Sequence, residues 1–123
     1  MIDPQGNLLA IGYAGLGVGK NNPAMQDQQG VGPLPCGFYG ILPAVDTLDH
    51  GPEVMWLVPD PDNEMFGRAD FGIHGDSKTH PGCASLGCIC IPKPARDTIN
   101  ASSDKKLQVI ASFPVVDLNL IEE

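Results

Sequence analysis

The stretch FGIHGDSKTHPGCASLGCICIP, residues 71 to 92, holds three of the four cysteines and two of the three histidines of the chain. At its start, DFGIH at 70 to 74 predicts a short strand, because apolar side chains alternate with Gly and with His74. At its end, GCICIP at 87 to 92 predicts a second strand by the same alternation. A helix is predicted over 92 to 103, where Pro opens a segment with apolar residues at helical spacing. Two strands and a helix therefore surround a loop that carries reactive side chains.

The remainder of the chain predicts further strands joined by loops. Apolar and β-branched runs indicate strands at 7 to 13, 38 to 45, 54 to 58 and 107 to 121. Residues 15 to 37 are predicted to form a long loop, because Gly, Pro and Asn are too frequent there for a helix. The pattern predicts a single mainly β domain over residues 1 to 123, with one short helix.

Charge and hydropathy narrow the range of partners. The formal net charge is −8, from 15 acidic and 7 basic residues, and such a surface repels nucleic acid and anionic lipid headgroups. No apolar run is long enough to cross a bilayer. The N-terminal sequence MIDPQGNLLAIGYAG lacks the cationic region and continuous apolar segment of a Sec signal peptide. We therefore expect no nucleic-acid partner, no membrane insertion and no Sec signal.

The cysteines and histidines allow a metal site or a disulfide as well as thiol chemistry. Potential zinc ligands are His74, His80, Cys83, Cys88 and Cys90. Their spacing contains no CxxC or HxxxH pair, so a zinc-stabilised domain is only an alternative interpretation. A disulfide between Cys36 and Cys83 stays open, although a domain of this size does not need one.

Cys88 has the surroundings of a nucleophilic thiol. Such a thiol needs a base within hydrogen-bond reach and backbone N–H groups directed at the developing oxyanion. Gly87 permits close approach of a substrate carbonyl, and His74, at a strand end, is the candidate base. A helix that begins near Pro92 is expected to favour the thiolate with its positive end. The other two histidines look like surface and loop residues, His50 in a polar turn and His80 in the loop.

Two ordered motifs carry a family resemblance. IHG at 73 to 75, followed by SLGCI at 85 to 89, resembles the catalytic motif of the L,D-transpeptidase superfamily. The match is closer to its small branch of type VI secretion effectors, which is also similar in GKNNPAMQD at 19 to 27 and GPLPCGFY at 32 to 39. The resemblance covers roughly residues 10 to 110. It implies an L,D-transpeptidase-like β-sandwich or barrel with one short helix after the catalytic cysteine.

The resemblance also implies a reaction. Cys88 would attack the carbonyl that joins meso-diaminopimelate to D-Ala in peptidoglycan stem peptides, with His74 as the base. The thioester would pass to water, as in an L,D-carboxypeptidase, or to another amine, as in an L,D-transpeptidase. The second histidine of the superfamily motif is Leu86 here, which leaves His74 as the base, as in the effector branch. Where many L,D-transpeptidases have a substrate-contacting Arg or Asn, this chain has Cys90.

Further roles follow for the residues around the pair. The N–H groups of Gly87 and Cys88 are expected to form the oxyanion hole, and Ser85 either orients His74 or the substrate, or caps a turn. Gly75 and Asp76 are expected at the substrate site, where Asp76 fixes the histidine or merely the loop. Groove-lining amides are predicted for Asn22 and Gln26. The candidates for binding the substrate carboxylate are Lys20, Lys78 and Arg68.

An enzyme of this kind implies a biological setting. The expected partners are a peptidoglycan stem peptide, a secretion apparatus and a cognate immunity protein, with no cofactor and no metal. The expected site of action is the periplasm of a target bacterium. A phage lytic enzyme or an excised domain fits the missing Sec signal equally well. The alternative from another class is a non-catalytic cell-wall-binding module with the same fold.

Overall fold

Seven strands form one curled, half-barrel sheet in the structure, a computed structural model that describes residues 1–112. The strands are β1 (Tyr13–Ala14), β2 (Gly37–Ile41), β3 (Val45–Thr47), β4 (Gly51–Pro59), β5 (Gly72–His74), β6 (Ile89–Cys90) and β7 (Lys106–Val109). They lie in the order β1-β6-β5-β4-β2-β7, and β3 pairs with β4. The predicted mainly β fold with one helix after Cys88 is confirmed.

The pair β5 and β6 runs parallel, while every other described pair is antiparallel. Ile73 lies opposite Ile89, and His74 lies opposite Cys90. Because side chains alternate along a strand, Ile73 enters the core while His74 and Cys90 share the other face. Cys88, two residues before Cys90, falls on that same face.

The helix α1 (Lys93–Ala101) follows β6 directly and packs on the core. Ala95 and Ile99 are buried, as the helical spacing predicted, and Pro94 is tolerated because the first turn needs no N–H donor there. At the other end, Lys105 Nζ donates to the carbonyls of Ile99 and Asn100, at 2.8 Å each. A cation there satisfies open carbonyls and complements the helix dipole. No helix within residues 1–112 is long and apolar enough to cross a membrane.

Several predicted strands have different bounds in the structure. The strand predicted at 7 to 13 is wrong apart from its last residue, because Leu8 is 64% and Ile11 is 80% exposed. The strand predicted at 38 to 45 is split between β2 and β3 around Pro43, which has no N–H for a sheet ladder.

The closing strand predicted at 107 to 121 is confirmed only in β7. Residues 110–112 are not in a strand, and residues 113–121 lie outside the described part of the chain.

The segment predicted as a loop over 15 to 37 is a loop up to residue 36, with two single 3₁₀ turns, and its last residue opens β2. It is held by Arg68, which is only 6% exposed. Arg68 Nη1 donates to the carbonyls of Gln26 at 2.6 Å and Pro33 at 2.7 Å. Its Nη2 donates to the carbonyls of Gly32 at 3.0 Å and Leu86 at 3.2 Å. One guanidinium therefore joins the loop to the segment that precedes Cys88.

Replacement of this guanidinium is expected to destabilise the domain. Arg68→Met leaves four carbonyl oxygens without their charged donor, so the free energy of unfolding should fall by about 3 kcal/mol. Chemical denaturation measures this loss, with Lys106→Met, at an exposed position of β7, as the control. Equal stability of the two variants would contradict the role given to Arg68.

Candidate active site

A cavity of about 420 Å³ is lined by both His74 and Cys88, although no hydrogen bond within the described residues joins the two side chains. Other residues that line it are Gln29, Gly30, Asp49, His50, Arg68, Ala69, Asp70, Phe71, Ala84 and Leu86. A larger cavity, of about 650 Å³, is lined by residues such as Tyr13, Leu34 and Ile91 and contacts neither His74 nor Cys88. The candidate nucleophile and base predicted from the sequence thus share the wall of the smaller cavity.

His74 is arranged as a neutral base. Its Nδ1 lies 2.8 Å from the Gly75 carbonyl oxygen, which can only accept, so Nδ1 carries the hydrogen and Nε2 presents the lone pair. The side chain is 2% exposed, and this burial lowers the pKa of His74, with a smaller contribution in the same direction from His50. The imidazole is therefore uncharged at neutral pH.

His50 stacks on His74, a contact that the sequence did not reveal. The two ring centroids are 4.9 Å apart with an interplanar angle of 24°. The ring centroids of Trp56 and His50 are 5.6 Å apart, with an interplanar angle of 80°, which is a T-shaped arrangement. His50 is exposed, as predicted, but it lines the cavity that holds Cys88. The pairing of β4 with β5 brings the turn before β4 to His74, and no local motif indicates it.

The Cys88 thiol is buried and protonated at rest. It is 8% exposed, and its Sγ lies 3.9 Å from the carbonyl oxygen of Asp70. Burial raises the pKa of Cys88, although hydrogen bonds from the Gly72 N–H and its own N–H, and the charge of Arg68, act in the opposite direction. Desolvation outweighs the groups that stabilise the anion, and the helix start is not among the causes of this shift, so the support that it was expected to give the thiolate stays a prediction.

Ser85 organises the backbone around Cys88 and does not contact His74. This fully buried hydroxyl donates to the Cys88 carbonyl at 2.6 Å and accepts from the N–H groups of Gly15 at 2.9 Å and Gly87 at 3.0 Å. These bonds support the turn-capping role left open for Ser85, and its role toward the substrate stays a prediction. The Gly87 N–H is thereby engaged, so the predicted oxyanion pair of Gly87 and Cys88 keeps only the Cys88 N–H.

Gly87 is required by close packing. Its φ is +144°, and a Cβ atom there would lie 2.6 Å from Phe71 Cε1 and 2.7 Å from Arg68 Nη2. No side chain fits at that distance without moving the guanidinium or the ring. The glycine of the motif therefore lets Arg68 approach the chain immediately before Cys88.

Cys90 lies against the base. Its Sγ is 3.7 Å from His74 Nδ1, and burial raises the pKa of Cys90 to about 11. A thiol that is protonated in this way packs on the imidazole as a small, weakly polar group.

Asp76 fixes the loop beyond His74. Its carboxylate accepts from the Tyr13 hydroxyl at 2.6 Å and from the N–H groups of Ser77 at 2.7 Å and Gly82 at 3.0 Å. The Tyr13 hydrogen bond is the main cause that lowers the pKa of Asp76. Of the two roles predicted for Asp76, the structure supports fixing the loop.

Gly75 leaves room for the neighbouring helix, since a Cβ atom there would lie 2.7 Å from Arg96 Nη1. Gly75 does not line the cavity with Cys88. No contact in the structure tests its predicted substrate role, which stays a prediction.

The predicted groove amides serve their own loop. Asn22 Oδ1 accepts from the Ala24 N–H at 3.2 Å, and its Nδ2 donates to the Val18 carbonyl at 3.3 Å. Gln26 Oε1 accepts from the Cys36 N–H at 2.9 Å, and its Nε2 donates to a carbonyl within the loop at 3.0 Å. Neither side chain lines the cavity with Cys88, where Gln29 and Gly30 stand instead.

The structure also bears on the disulfide and the metal site that the cysteines and histidines left open. All four cysteines fall within the described residues and are free, so the disulfide between Cys36 and Cys83 is not formed. Within residues 1–112, no three His, Cys, Asp or Glu side chains are grouped to hold a metal ion.

Comparison with known proteins gives one family. The family model of the Tlde1 domain matches residues 9–112, which include every residue of the cavity described above. No curated protein and no solved structure matches the chain.

Alkylation should reveal the protonated state of Cys88. Its rate with iodoacetamide should be slow at pH 7 and keep rising beyond the ordinary thiol range of about 8.5, because burial disfavours the thiolate. Mass spectrometry of a Cys36→Ser, Cys83→Ser protein follows the modified peptide. A rate plateau at acidic pH that disappears in His74→Ala would indicate a preformed ion pair and contradict this prediction.

The free energy of unfolding should decrease as the pH falls from 7 to 5. The lowered pKa of His74 means that the unfolded chain, with a histidine pKa of about 6.5, binds a proton that the folded chain resists. His74→Gln removes this titration, so its unfolding free energy should depend less on pH over the same interval. Denaturant titrations at each pH compare the variant with the wild type, and parallel curves would contradict the buried neutral state.

Proposed function

The chain belongs to the Tlde1 domain family, a family of type VI secretion effectors that target peptidoglycan, and from this premise we propose that it is a cysteine L,D-carboxypeptidase or L,D-transpeptidase. The proposed substrate bond joins meso-diaminopimelate to D-Ala in a stem tetrapeptide. The observation that carries the proposal is the cavity that both His74 and Cys88 line. Within the described residues His74 Nε2 has no backbone partner, and Cys90 Sγ lies 4.0 Å from it.

The proposed reaction begins with a neutral pair. His74 Nε2 takes the proton of the Cys88 thiol as Sγ attacks the scissile carbonyl carbon, which gives a tetrahedral oxyanion. The oxyanion collapses, the carbon–nitrogen bond breaks, and His74 returns the proton to the departing amine of D-Ala. Water or another amine then attacks the thioester, His74 takes its proton, and Cys88 leaves and is reprotonated.

Charge separation in this scheme waits for the substrate. Burial disfavours both the thiolate of Cys88 and the imidazolium of His74, so the resting pair stays uncharged. The Gly72 N–H and the Arg68 charge support negative charge on Sγ as the proton moves, and the Cys88 N–H, which also points to Sγ, is free for the oxyanion once Sγ has bonded to carbon. The Cys88 N–H is the proposed donor to the oxyanion, because Ser85 holds the Gly87 N–H.

The acidic lining of the cavity supports a diamino acid at the third position of the stem. Asp49 and Asp70 both line the cavity with Cys88. Their side chains complement the ammonium group at the far end of the meso-diaminopimelate side chain.

The proposed setting follows from the family. An effector is delivered by a secretion apparatus and neutralised by a cognate immunity protein, and peptidoglycan is reached in the periplasm of the target cell. We propose the same delivery, neutralisation and periplasmic action for this chain.

The decisive experiment is mass spectrometry of muropeptides. Wild-type protein should convert tetrapeptides to tripeptides, and it should exchange D-Ala for an added D-amino acid if transfer competes with hydrolysis. Cys88→Ala should lose on the order of a thousandfold or more in turnover, because no other group supplies the nucleophile. Cys83→Ala, which removes an exposed thiol outside the cavity, is the matched control.

Two outcomes would contradict the proposal. Full activity in Cys88→Ala would remove Cys88 from the reaction. Retention of the wild-type protein on sacculi without any released product would favour a non-catalytic wall-binding module.

A further inference from the structure

The geometry points to His50 as a further substrate-contacting residue, and we propose that it binds the terminal carboxylate of the amino acid that the reaction releases. The inference rests on the proposed function for the identity of the substrate. It concerns a side chain at the mouth of the cavity, where the exposed His50 ring covers the buried His74 ring.

The turn between β3 and β4 holds His50 in place. The His50 N–H donates to Thr47 Oγ1 at 2.9 Å, and the same hydroxyl donates to the Gly51 carbonyl at 3.1 Å. Gly51 has a φ of +79°, a conformation that glycine adopts without strain. The backbone of His50 is thus held by the turn, and its ring is held by the T-shaped contact with Trp56.

The ring of His50 keeps its hydrogen-bonding capacity for a ligand. Within the described residues, neither of its nitrogens hydrogen-bonds to another protein group, and the ring lines the cavity. An imidazole in this state has one N–H donor when neutral and two when protonated. Either form can donate to a carboxylate oxygen.

The chemistry of the leaving group selects this location. His74 must reach the nitrogen of the departing amino acid to return its proton. In an α-amino acid, the carboxylate carbon is only two bonds from that nitrogen, so the carboxylate must lie beside the base. The group beside the base, with a ring centroid 4.9 Å away, is His50.

The other cationic residues considered are committed or lie elsewhere. Arg68, which lines the cavity, donates to four backbone carbonyls. Lys20 lies over the Tyr13 ring at 4.8 Å, and neither it nor Lys78 lines the cavity. Arg96 stands behind Gly75, outside the cavity.

Two of the residues that line the cavity are acidic. Asp49 and Asp70 repel a second anion, so a substrate carboxylate needs a partner that offsets this repulsion. Among the residues that line the cavity, His50 is the ionisable donor without a committed protein partner and without a place in the proposed proton transfer. The structure therefore assigns carboxylate recognition to His50 in place of Lys20, Lys78 or Arg68.

The test compares a stem tetrapeptide that ends in a free D-Ala carboxylate with the same peptide that ends in an amide. The kcat/KM of His50→Ala for the free acid should fall about tenfold, while its kcat/KM for the amide should stay near the wild-type value. His50→Gln, which retains an N–H donor, should recover part of the loss on the acid. Leu48→Ala, at a fully exposed position of the same turn, is the matched control.

The outcomes distinguish a His50 that contacts the substrate carboxylate from a His50 that only supports the His74 ring. An equal loss on acid and amide would mean that His50 only positions His74, and no loss on either would mean that it has no role. Both results would overturn the inference. Thermal unfolding of each variant shows that the comparison is made between folded proteins.

A binding measurement separates this inference from the proposed function. In a Cys88→Ala background, calorimetry should give a Kd for the acid that rises about tenfold on His50→Ala, and no change for the amide. This result would support His50 even if the wild-type protein turned over neither peptide, in which case the proposed function alone would fail. Equal affinities for the acid with and without the His50 side chain would overturn the inference, and so would a failure to bind the acid. In either case, turnover of the tetrapeptide by the wild-type protein would still support the proposed function.

Discussion

The hydrogen bonds of the Arg68 guanidinium are the interaction on which the rest of the site depends. The long loop has no regular ladder of its own, so its carbonyls need an outside donor, and Arg68 supplies four bonds from one buried position. The same group approaches Gly87 so closely that only glycine fits, and its charge reaches the Cys88 thiol. Loop closure, backbone shape and thiol electrostatics are therefore linked through one residue.

The parallel pairing of β5 and β6 supplies the second constraint. It pairs residues sixteen positions apart in the chain, in a register in which His74 lies opposite Cys90. A register shifted by one residue would send His74 to the core face and Ile73 to the cavity. The burial of Ile73 in the core therefore fixes the side on which the candidate base appears. The same register therefore determines both the packing of Ile73 in the core and the position of His74 at the candidate site.

Sequence reasoning predicted the elements whose signal is local. The helix after Cys88 followed from its apolar spacing, and the candidate pair of His74 and Cys88 followed from short motifs and a family resemblance. It did not predict where polar groups find their partners. Ser85 hydrogen-bonds to the backbone, and Gln26 hydrogen-bonds within its own loop. The Gly87 N–H donates to Ser85. Such commitments depend on groups far apart in the chain, and so did the stacking of a hairpin residue on the base.

The burial of Cys88 has a consequence for the lifetime of the protein before it meets a substrate. Oxidants attack thiolates far faster than thiols, so a nucleophile held protonated in a narrow cavity is a poor target for conversion to sulfenic acid. The exposed thiol of Cys83 offers an easier site for such damage, and it lies outside the cavity. For a chain proposed to act in an oxidising compartment, slow resting chemistry at Cys88 is a form of chemical durability.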